Sequence, residues 1–241
     1  MLAVLEQIAN RQPVGVSELA RSMEEDKSAV QRAILTLADE GWIDAAPGAS
    51  RRWQLTGHIH LVAHVAHARS GLRQRALPIL TKLRDQTGET VALSVPDVGR
   101  FVLIEVLESR EVLRTAPYIG MVVLTRESAT GRAVLPYLTA ARQAELLGGT
   151  ADPILAASFE ETLRNGFAVN ETETDGNSIN IAAPIFEVDH RPIGAVVLSA
   201  PRSRLAPEAY QRIGMLVLQA ARELSGAATA AVPPIPQRDD S

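Results

Sequence analysis

Apolar residues recur at helical intervals in three short segments at the start of the chain. Residues 2–8 form the first segment, and the turn residues Gln12-Pro13-Val14-Gly15 are expected to end it. The second has Ser17 at the position of an N-cap, and the third begins near Asp26, a good capping residue, and ends at Gly41. The apolar positions of this third helix, which should face a core, are Val30, Ile34, Leu35 and Leu37.

Two short strand-like pieces follow the third helix. One is Trp42-Ile43 and the other is Trp53-Gln54-Leu55, and Pro47-Gly48-Ala49-Ser50 between them is typical of a turn. Helix, tight turn, helix and two-stranded wing is the order of a winged helix-turn-helix, whose second helix enters a DNA major groove. The sequence therefore predicts a DNA-binding domain over residues 1–56.

The N-terminal half of the third helix is expected to meet the base edges. Ser28, Gln31 and Arg32 lie three to four positions apart, opposite the apolar stripe. Gln can bond adenine and Arg can bond guanine through paired hydrogen bonds, although an ordinary solvated face is the alternative. Two further arginines at the wing tip would reach phosphate or the minor groove, unless the wing is a plain hairpin. The predicted DNA-contacting residues are Lys27, Ser28, Gln31, Arg32, Arg51 and Arg52.

Beyond Gly57 the pattern predicts a second, larger domain. A helix over residues 57–70 is suited to link two domains, and another helix covers 72–86. TVALSV and FVLIEVLE then form a hairpin, and SINIAAPIFEV and PIGAVVLSAP are two strong strands. The predicted helices between and after these strands cover residues 128–138, 140–147, 152–165 and 207–224. The fold class is α+β with a largely antiparallel sheet over residues 71–226, followed by a disordered tail over 227–241.

Composition limits the function classes. The net charge of −4 is unusual for a DNA-binding protein, because Lys and Arg provide most of the affinity for phosphates. The absence of cysteine excludes disulfides, thiolate nucleophiles and sulfur-ligated zinc. No apolar run approaches the roughly 20 residues of a membrane helix, and no signal peptide is evident at the N-terminus. A cytoplasmic protein with no membrane partner is expected.

Four segments of the chain, taken in order, resemble the isocitrate lyase regulator (IclR) family of bacterial transcription factors. They are SELARSMEEDKSAVQRAILTLADEGWI, RALPILTKLRDQTGETVALSV, TGRAVLPYL and INIAAPIFEVDHRPIGAVVLSAP. The resemblance extends to about Leu224, and LRDQTGETVALSV and IAAPIF are its most distinctive parts. It implies a winged helix-turn-helix, a linker helix and an effector-binding domain related to the GAF fold. It also implies homodimers, which often pair into dimers of dimers.

The resemblance further implies a small-molecule pocket between the sheet and the loop before the TGRAVL helix. Backbone N–H groups at the start of that helix would favour an anion. Arg126 could bind a carboxylate or simply pair with Glu127. Asn180 stands where many members carry cysteine and Asn170 where relatives often have an acid, so the preferred ligand should differ. The residues assigned to the pocket are Val112, Met121, Arg126, Ala129, Thr130, Asn170, Ser178, Asn180, Val197 and Ser199.

Four histidines cluster in the predicted linker helix: His58, His60, His64 and His67. His60 and His64 have a spacing that can hold a metal, but no carboxylate shares their turns, which favours a polar edge of a dimer interface instead. No G-x-S-x-G, Walker or G-x-G-x-x-G motif is present. No catalytic residue, cofactor or metal is therefore expected.

These features favour a ligand-responsive regulator that binds double-stranded operator DNA. It would control a catabolic or metabolic operon, and its effector would be a small organic or aromatic acid. Two alternatives remain open. One is an enzyme acting on a small organic acid, with Arg126, Glu127 and the histidines as its candidate residues; the other is a sensor or adaptor that acts through protein contacts.

Overall fold

The computed structural model describes residues 1–48, 51–62, 71–171 and 176–226. The chain divides into two compact units, Met1–Gly71 and Leu72–Ser241. Within the described ranges, no helix is both long and apolar enough to cross a membrane. The predicted tail, residues 227–241, lies outside those ranges, and so does the second half of the predicted linker helix. The first half of that helix is helical over residues 58–62.

The N-terminal unit contains three helices and a small sheet. Its elements are α1 (Leu2–Arg11), β1 (Val14–Gly15), α2 (Val16–Met23), α3 (Lys27–Asp39), β2 (Ile43–Ala45) and β3 (Arg52–Leu55). The strands are antiparallel, in the order β1-β3-β2. The predicted helix-turn-helix with a wing is confirmed. The segment before α2 was expected only to end α1, but its Val14 and Gly15 also pair with β3.

The two helix starts of the motif differ from each other. Asp26 caps α3 as predicted, since its Oδ1 accepts the N–H groups of Ser28 and Ala29 at 2.9 and 3.1 Å. Its hydrogen bonds with Ser28 and Ala29 lower the pKa of this carboxyl. The prediction of Ser17 as an N-cap is wrong, because α2 already begins at Val16 after an extended Gly15. The extended backbone of Gly15 follows from its pairing with β3.

The core of this unit corrects one position on α3. Val30, Ile34 and Leu37 are buried, as predicted, together with Ile8, Leu19 and Ile43 from the other elements. Leu35 was expected in the core but is 50% exposed. Successive helix residues lie about 100° apart, so Leu35 lies about 130° from the centre of the stripe of Val30, Ile34 and Leu37, on the side away from the core.

The C-terminal unit is a six-stranded antiparallel sheet with helices. Its strands are β4 (Thr90–Asp97), β5 (Arg100–Leu107), β6 (Val122–Val123), β7 (Ala168–Asn170), β8 (Ser178–Phe186) and β9 (Pro192–Pro201). Its helices are α4 (Leu72–Thr87), α5 (Ala129–Val134), α6 (Ala140–Leu147), α7 (Pro153–Asn165) and α8 (Tyr210–Ser225). The strand order is β6-β5-β4-β9-β8-β7. The predicted α+β class with an antiparallel sheet is confirmed.

Prolines shorten two of the predicted helices. The helix expected over 128–138 is α5 followed by a 3-10 turn at Leu135–Tyr137. Pro136 has no N–H to donate to the preceding turn, so the α-helix ends before it. The last helix begins with a 3-10 turn at Pro207–Ala209 rather than with α-helix at residue 207.

The two faces of the large sheet differ in side-chain size. One face carries long aliphatic residues such as Ile179, Ile181 and Leu198, which pack with α4 and α8 into the main core. The other face carries small or polar residues at the alternate positions, and part of it packs against the short helix α5. Because strand side chains alternate between faces, this difference is present in each central strand. Space remains on the second face beside α5.

Candidate functional site

The exposed face of α3 contains every residue predicted there for DNA contact. Lys27, Ser28, Gln31 and Arg32 are all exposed, on the side away from the core. Leu35 extends this face by one turn. Sequence reasoning assigned Leu35 to the core, and its apolar side chain suits contact with a thymine methyl group. We call these five residues the α3 face.

The two wing arginines have different environments. The Arg52 Nε donates to the carbonyl oxygen of Pro13 at 2.8 Å, and its Nη2 lies 3.1 Å from the Glu18 Oε2. Arg52 therefore connects β3 to the segment before α2 and to α2 itself. Arg51 is exposed. The structure thus separates a pair that the sequence presents as equivalent.

The predicted histidine cluster lies only partly in the described ranges, because His64 and His67 fall outside them. The His58 ring packs edge-on against Trp42, with ring centroids 4.5 Å apart. Among the described residues, no group of three or more His, Asp or Glu side chains is placed to hold a metal ion.

A cavity of about 450 Å³ occupies the free part of the second sheet face. Strands β4, β5, β8 and β9 form its floor, and the segment 113–118 forms a wall. Its lining residues are Thr90, Ala92, Leu103, Leu113, Arg114, Thr115, Ala116, Pro117, Tyr118, Met121, Val123, Thr130, Asn177, Ser178, Asn180, Val197, Ser199 and Pro201.

Strand register divides the floor into a polar and an apolar row. Thr90, Ser199 and Asn180 lie directly opposite one another on β4, β9 and β8, and they form the polar row. Two residues along each strand, the paired positions are Ala92, Val197 and Ala182. Leu103, Met121 and Val123 continue the apolar side toward β5 and β6. The cavity is therefore amphipathic.

The wall is fixed to the polar row by side-chain hydrogen bonds. The Thr90 hydroxyl donates to the carbonyl oxygen of Thr115 at 2.8 Å, and the Thr115 hydroxyl donates to that of Ser199 at 3.1 Å. The backbone N–H of Ser109 donates to the Thr90 hydroxyl at 3.0 Å. Thr90 and Thr115 were missed by sequence reasoning, because they are separated by 25 residues and only the folded hairpin brings them together.

Arg204 also holds this wall in place. Its Nε and Nη2 both bond the buried Glu89 carboxylate at 2.6 Å, and its Nη1 donates to the carbonyl oxygen of Leu113 at 2.6 Å. The hydrogen bond with Glu89 raises the pKa of the Arg204 guanidinium. Two separate networks thus hold the wall at Leu113 and Thr115.

Six of the ten residues predicted for the pocket line the cavity: Met121, Thr130, Ser178, Asn180, Val197 and Ser199. Four do not. Val112 is 98% exposed, although an apolar wall was expected of it. Ala129 is fully buried against Ala133 and Ala182. Asn170 is also fully buried, and its amide donates to the carbonyl oxygen of Glu127.

Arg126 is the fourth predicted pocket residue that does not line the cavity, and its side chain forms an ion pair elsewhere. Its Nη1 lies 3.0 Å from the Asp152 Oδ2, and its Nη2 donates to the carbonyl oxygen of Thr150 at 3.3 Å. Neither the expected carboxylate site nor the alternative pair with Glu127 is present. The backbone hydrogen bond from Leu155, followed by the charge of Arg126, lowers the pKa of Asp152. Arg126 therefore supports the start of α7.

An anion site was also expected at the start of α5, but not all of its backbone N–H donors are free. This helix has six residues, and the Ser128 hydroxyl accepts the Gly131 N–H at 3.0 Å. One of the donors expected to face an anion is thereby occupied. Gly131 itself lies so close to the preceding loop that a Cβ there would be 1.7 Å from the Thr125 carbonyl oxygen.

Comparison with known families agrees with this architecture. The model of the bacterial transcriptional regulator IclR C-terminal domain matches residues 64–226. The chain belongs to the IclR family. A MarR family model matches residues 2–47, which contain the helix-turn-helix. Family membership makes the chain a DNA-binding transcriptional regulator with an effector-binding domain.

Individual relatives match over most of their length. The transcriptional repressor IclR of Escherichia coli K12 is 25% identical over 238 residues, covering 93% of this chain and 86% of that protein. The regulator BhcR of Paracoccus denitrificans is 27% identical, covering 93% and 84%. These IclR-family relatives are regulators of transcription.

Solved structures share the fold. A putative IclR regulator from Silicibacter sp. TM1040 has a TM-score of 0.81 at 25% identity, covering 97% of this chain and 96% of that chain. An IclR homolog from Microbacterium hydrocarbonoxydans, complexed with 4-hydroxybenzoate, has a TM-score of 0.78 at 16% identity, covering 93% and 95%. The confirmed family and fold are those that the sequence resemblance implied.

Proposed function

We propose that this regulator controls a catabolic or metabolic operon in response to a small organic or aromatic acid. The acid binds in the cavity of the C-terminal unit, and operator DNA binds the α3 face. The observation that carries the proposal is the amphipathic cavity, with an apolar side, a polar row and no acidic residue among its described lining residues.

Size and chemistry support an acid with an apolar body. Small-molecule sites commonly occupy roughly 300 to 1,000 Å³ and combine apolar walls with a few polar groups, as this cavity does. Ala92, Val197 and Leu103 suit the apolar body, whereas Asn180 and Ser199 offer hydrogen bonds to its polar end. The 4-hydroxybenzoate bound by the Microbacterium homolog has this general form and is a suitable first probe.

On the DNA side, the proposal rests on Gln31 and Arg32. Both are exposed near the start of α3, where side chains of a recognition helix reach base edges. Lys27 and Arg51 are suited to phosphates. Assembly into a dimer or dimer of dimers, also proposed, would present several α3 helices to one operator and so offset the unfavourable net charge.

Operator binding is tested with labelled DNA from the intergenic region upstream of the gene. The double variant Gln31→Ala/Arg32→Ala should weaken specific binding at least tenfold, because each lost base contact costs about 1 to 3 kcal/mol. Arg142→Ala, an exposed arginine on α6 of the other unit, is the matched control and should bind like wild type. Unchanged affinity of the double variant would disprove this role of the α3 face.

Effector binding is tested by a thermal-shift screen of small aliphatic and aromatic acids, since a ligand of the native state raises Tm. A hit should also change operator affinity and remain chemically unaltered on incubation. Consumption of the acid would instead support the enzyme alternative. Stabilisation without any effect on DNA binding would support a sensor that acts through protein contacts.

A further inference from the structure

We propose that Arg114 binds the carboxylate of the effector, and that Glu108 occupies its guanidinium when no effector is present. This inference rests on the proposed function, because it names the residue that recognises the acid in that same cavity. Arg114 had no place among the pocket residues expected from the sequence.

Arg114 differs from the other lining residues in its charge. Among the described residues that line the cavity, it is the only one with a charged side chain. Its neighbour Thr115 is hydrogen-bonded to both Thr90 and Ser199, so Arg114 lies on the cavity lining beside a residue anchored to the polar row. A ligand with its apolar body on Ala92 and Val197 could therefore present its carboxylate to Arg114.

The present partners of Arg114 are replaceable. Its Nε lies 2.8 Å from the Glu108 Oε2, and its Nη1 makes a long 3.5 Å bond to the carbonyl oxygen of Glu111. The two side chains are 39% and 47% exposed, and solvent weakens an ion pair of this kind. The Arg114 Nη2 makes no hydrogen bond within the described part of the chain. A ligand carboxylate can instead bond two guanidinium nitrogens at once, which is the stronger geometry.

Two other arginines are not available to bind a ligand carboxylate, because their guanidinium groups are held by other partners. Arg204 is bound through two nitrogens to the buried Glu89, and removing it would leave that carboxylate without its partner. Arg126 pairs with Asp152 and two carbonyl oxygens outside the cavity. Arg114 alone of these three combines a place on the cavity lining with a solvent-exposed, exchangeable partner.

Because Glu108 and the ligand compete for Arg114, one substitution is expected to strengthen acid binding. Removing the charge of Glu108 frees Arg114, so Glu108→Gln should bind acids more tightly than wild type. The expected gain is about threefold, as for loss of an exposed ion pair. Arg114→Gln should lose about tenfold or more in acid affinity, because it removes a charged hydrogen-bonding partner.

The experiment measures dissociation constants of the full chain by calorimetry for acids and their primary amides. The probe pairs are 4-hydroxybenzoate with 4-hydroxybenzamide, benzoate with benzamide, and succinate with succinamide. Wild type should prefer the acid of a pair, and Arg114→Gln should abolish that preference without weakening amide binding. Arg126→Gln, which removes a paired arginine outside the cavity, is the control and should retain the preference.

A loss in Arg114→Gln could reflect misfolding, but tighter acid binding by Glu108→Gln could not. Acid binding that is unchanged in both variants would overturn the role of Arg114 and leave the proposed function standing. Equal binding of acid and amide by wild type would also overturn it. If no acid binds to wild type, the proposed effector class fails together with this inference.

Discussion

The α3 face and the cavity of the C-terminal unit are built in opposite ways. All five residues of the α3 face come from about two and a half turns of a single helix, between Lys27 and Leu35. The cavity takes its lining from strands β4, β5, β6, β8 and β9, from α5 and from the segment 113–118. One surface is contiguous in sequence, whereas the other exists only after distant strands have paired.

This difference determines how each site responds to change. The α3 face depends on a helix cap and on one buried stripe, so substitutions there act locally. The cavity depends on strand register and on close backbone approaches nearby, so a single added carbon can displace a neighbouring loop.

Gly131→Ala should destabilise the C-terminal unit, which contains the cavity. The new Cβ would lie 1.7 Å from the Thr125 carbonyl oxygen, a backbone atom that cannot rotate away. We expect a destabilisation of about 4 kcal/mol, because overpacking against backbone combines with strain. Urea unfolding followed by circular dichroism measures it.

The matched control for this prediction is Gly57→Ala. A Cβ at Gly57 meets nothing within 4 Å, so its unfolding midpoint should match that of wild type. Equal midpoints for the two variants would show that the loop before α5 yields freely, and the sharp contrast between the two sites would then be lost.

Ile34→Ala and Leu35→Ala compare adjacent positions on α3. Ile34 is 1% exposed and Leu35 is 50% exposed. The first variant should lose about 3 kcal/mol through an unfilled core cavity. The second should lose about 1 kcal/mol or less, because its side chain stays half in water. Thermal unfolding of the two variants, side by side, checks this order, and similar losses would contradict the exposed position of Leu35.

Asp26→Asn should produce a small, pH-dependent effect. Hydrogen bonds with Ser28 and Ala29 lower the pKa of Asp26 in the folded chain. The charged carboxylate therefore adds stability above the ordinary pKa, and this is lost as pH falls through the lowered folded value. Wild type should melt a few degrees higher than Asp26→Asn near neutral pH, since the carboxylate also interacts favourably with the helix dipole.

The same two proteins should converge in Tm as the pH is lowered through about 4 toward 2, where Asp26 becomes protonated. Melting curves at constant ionic strength provide the measurement. A difference that persists unchanged in acid would mean that charge at this cap is unimportant.

The α3 face was predictable because periodicity and capping act within a few residues. Asp26 and the stripe of Val30, Ile34 and Leu37 follow from local pattern alone. Leu35 was misplaced because its apolar side chain suggests burial, whereas its helical position lies on the side away from the stripe. The partners of Arg52 could not be predicted, since Glu18 and the Pro13 carbonyl reach it only through the fold.

For the cavity, the sequence resemblance supplied strand residues such as Asn180 and Ser199, which lie in strongly patterned segments. It did not supply the lining residues Arg114, Thr115 and Thr90. The positions of Thr115 and Thr90 depend on hydrogen bonds between the wall and the sheet. Arg126 looked equally suitable as a cation for an acid. Its partner, Asp152, is 26 residues away, and no local pattern reveals that pairing.

The sequence by itself determined the helix-turn-helix, the α+β class and the family, because each rests on periodicity or on motifs that are continuous along the chain. Tertiary structure decided which arginines already have ion-pair partners, which face of the sheet contains the cavity and where the polar row lies. These depend on register and on contacts between residues far apart in sequence. Side-chain type alone carries no information about which partner will be nearby.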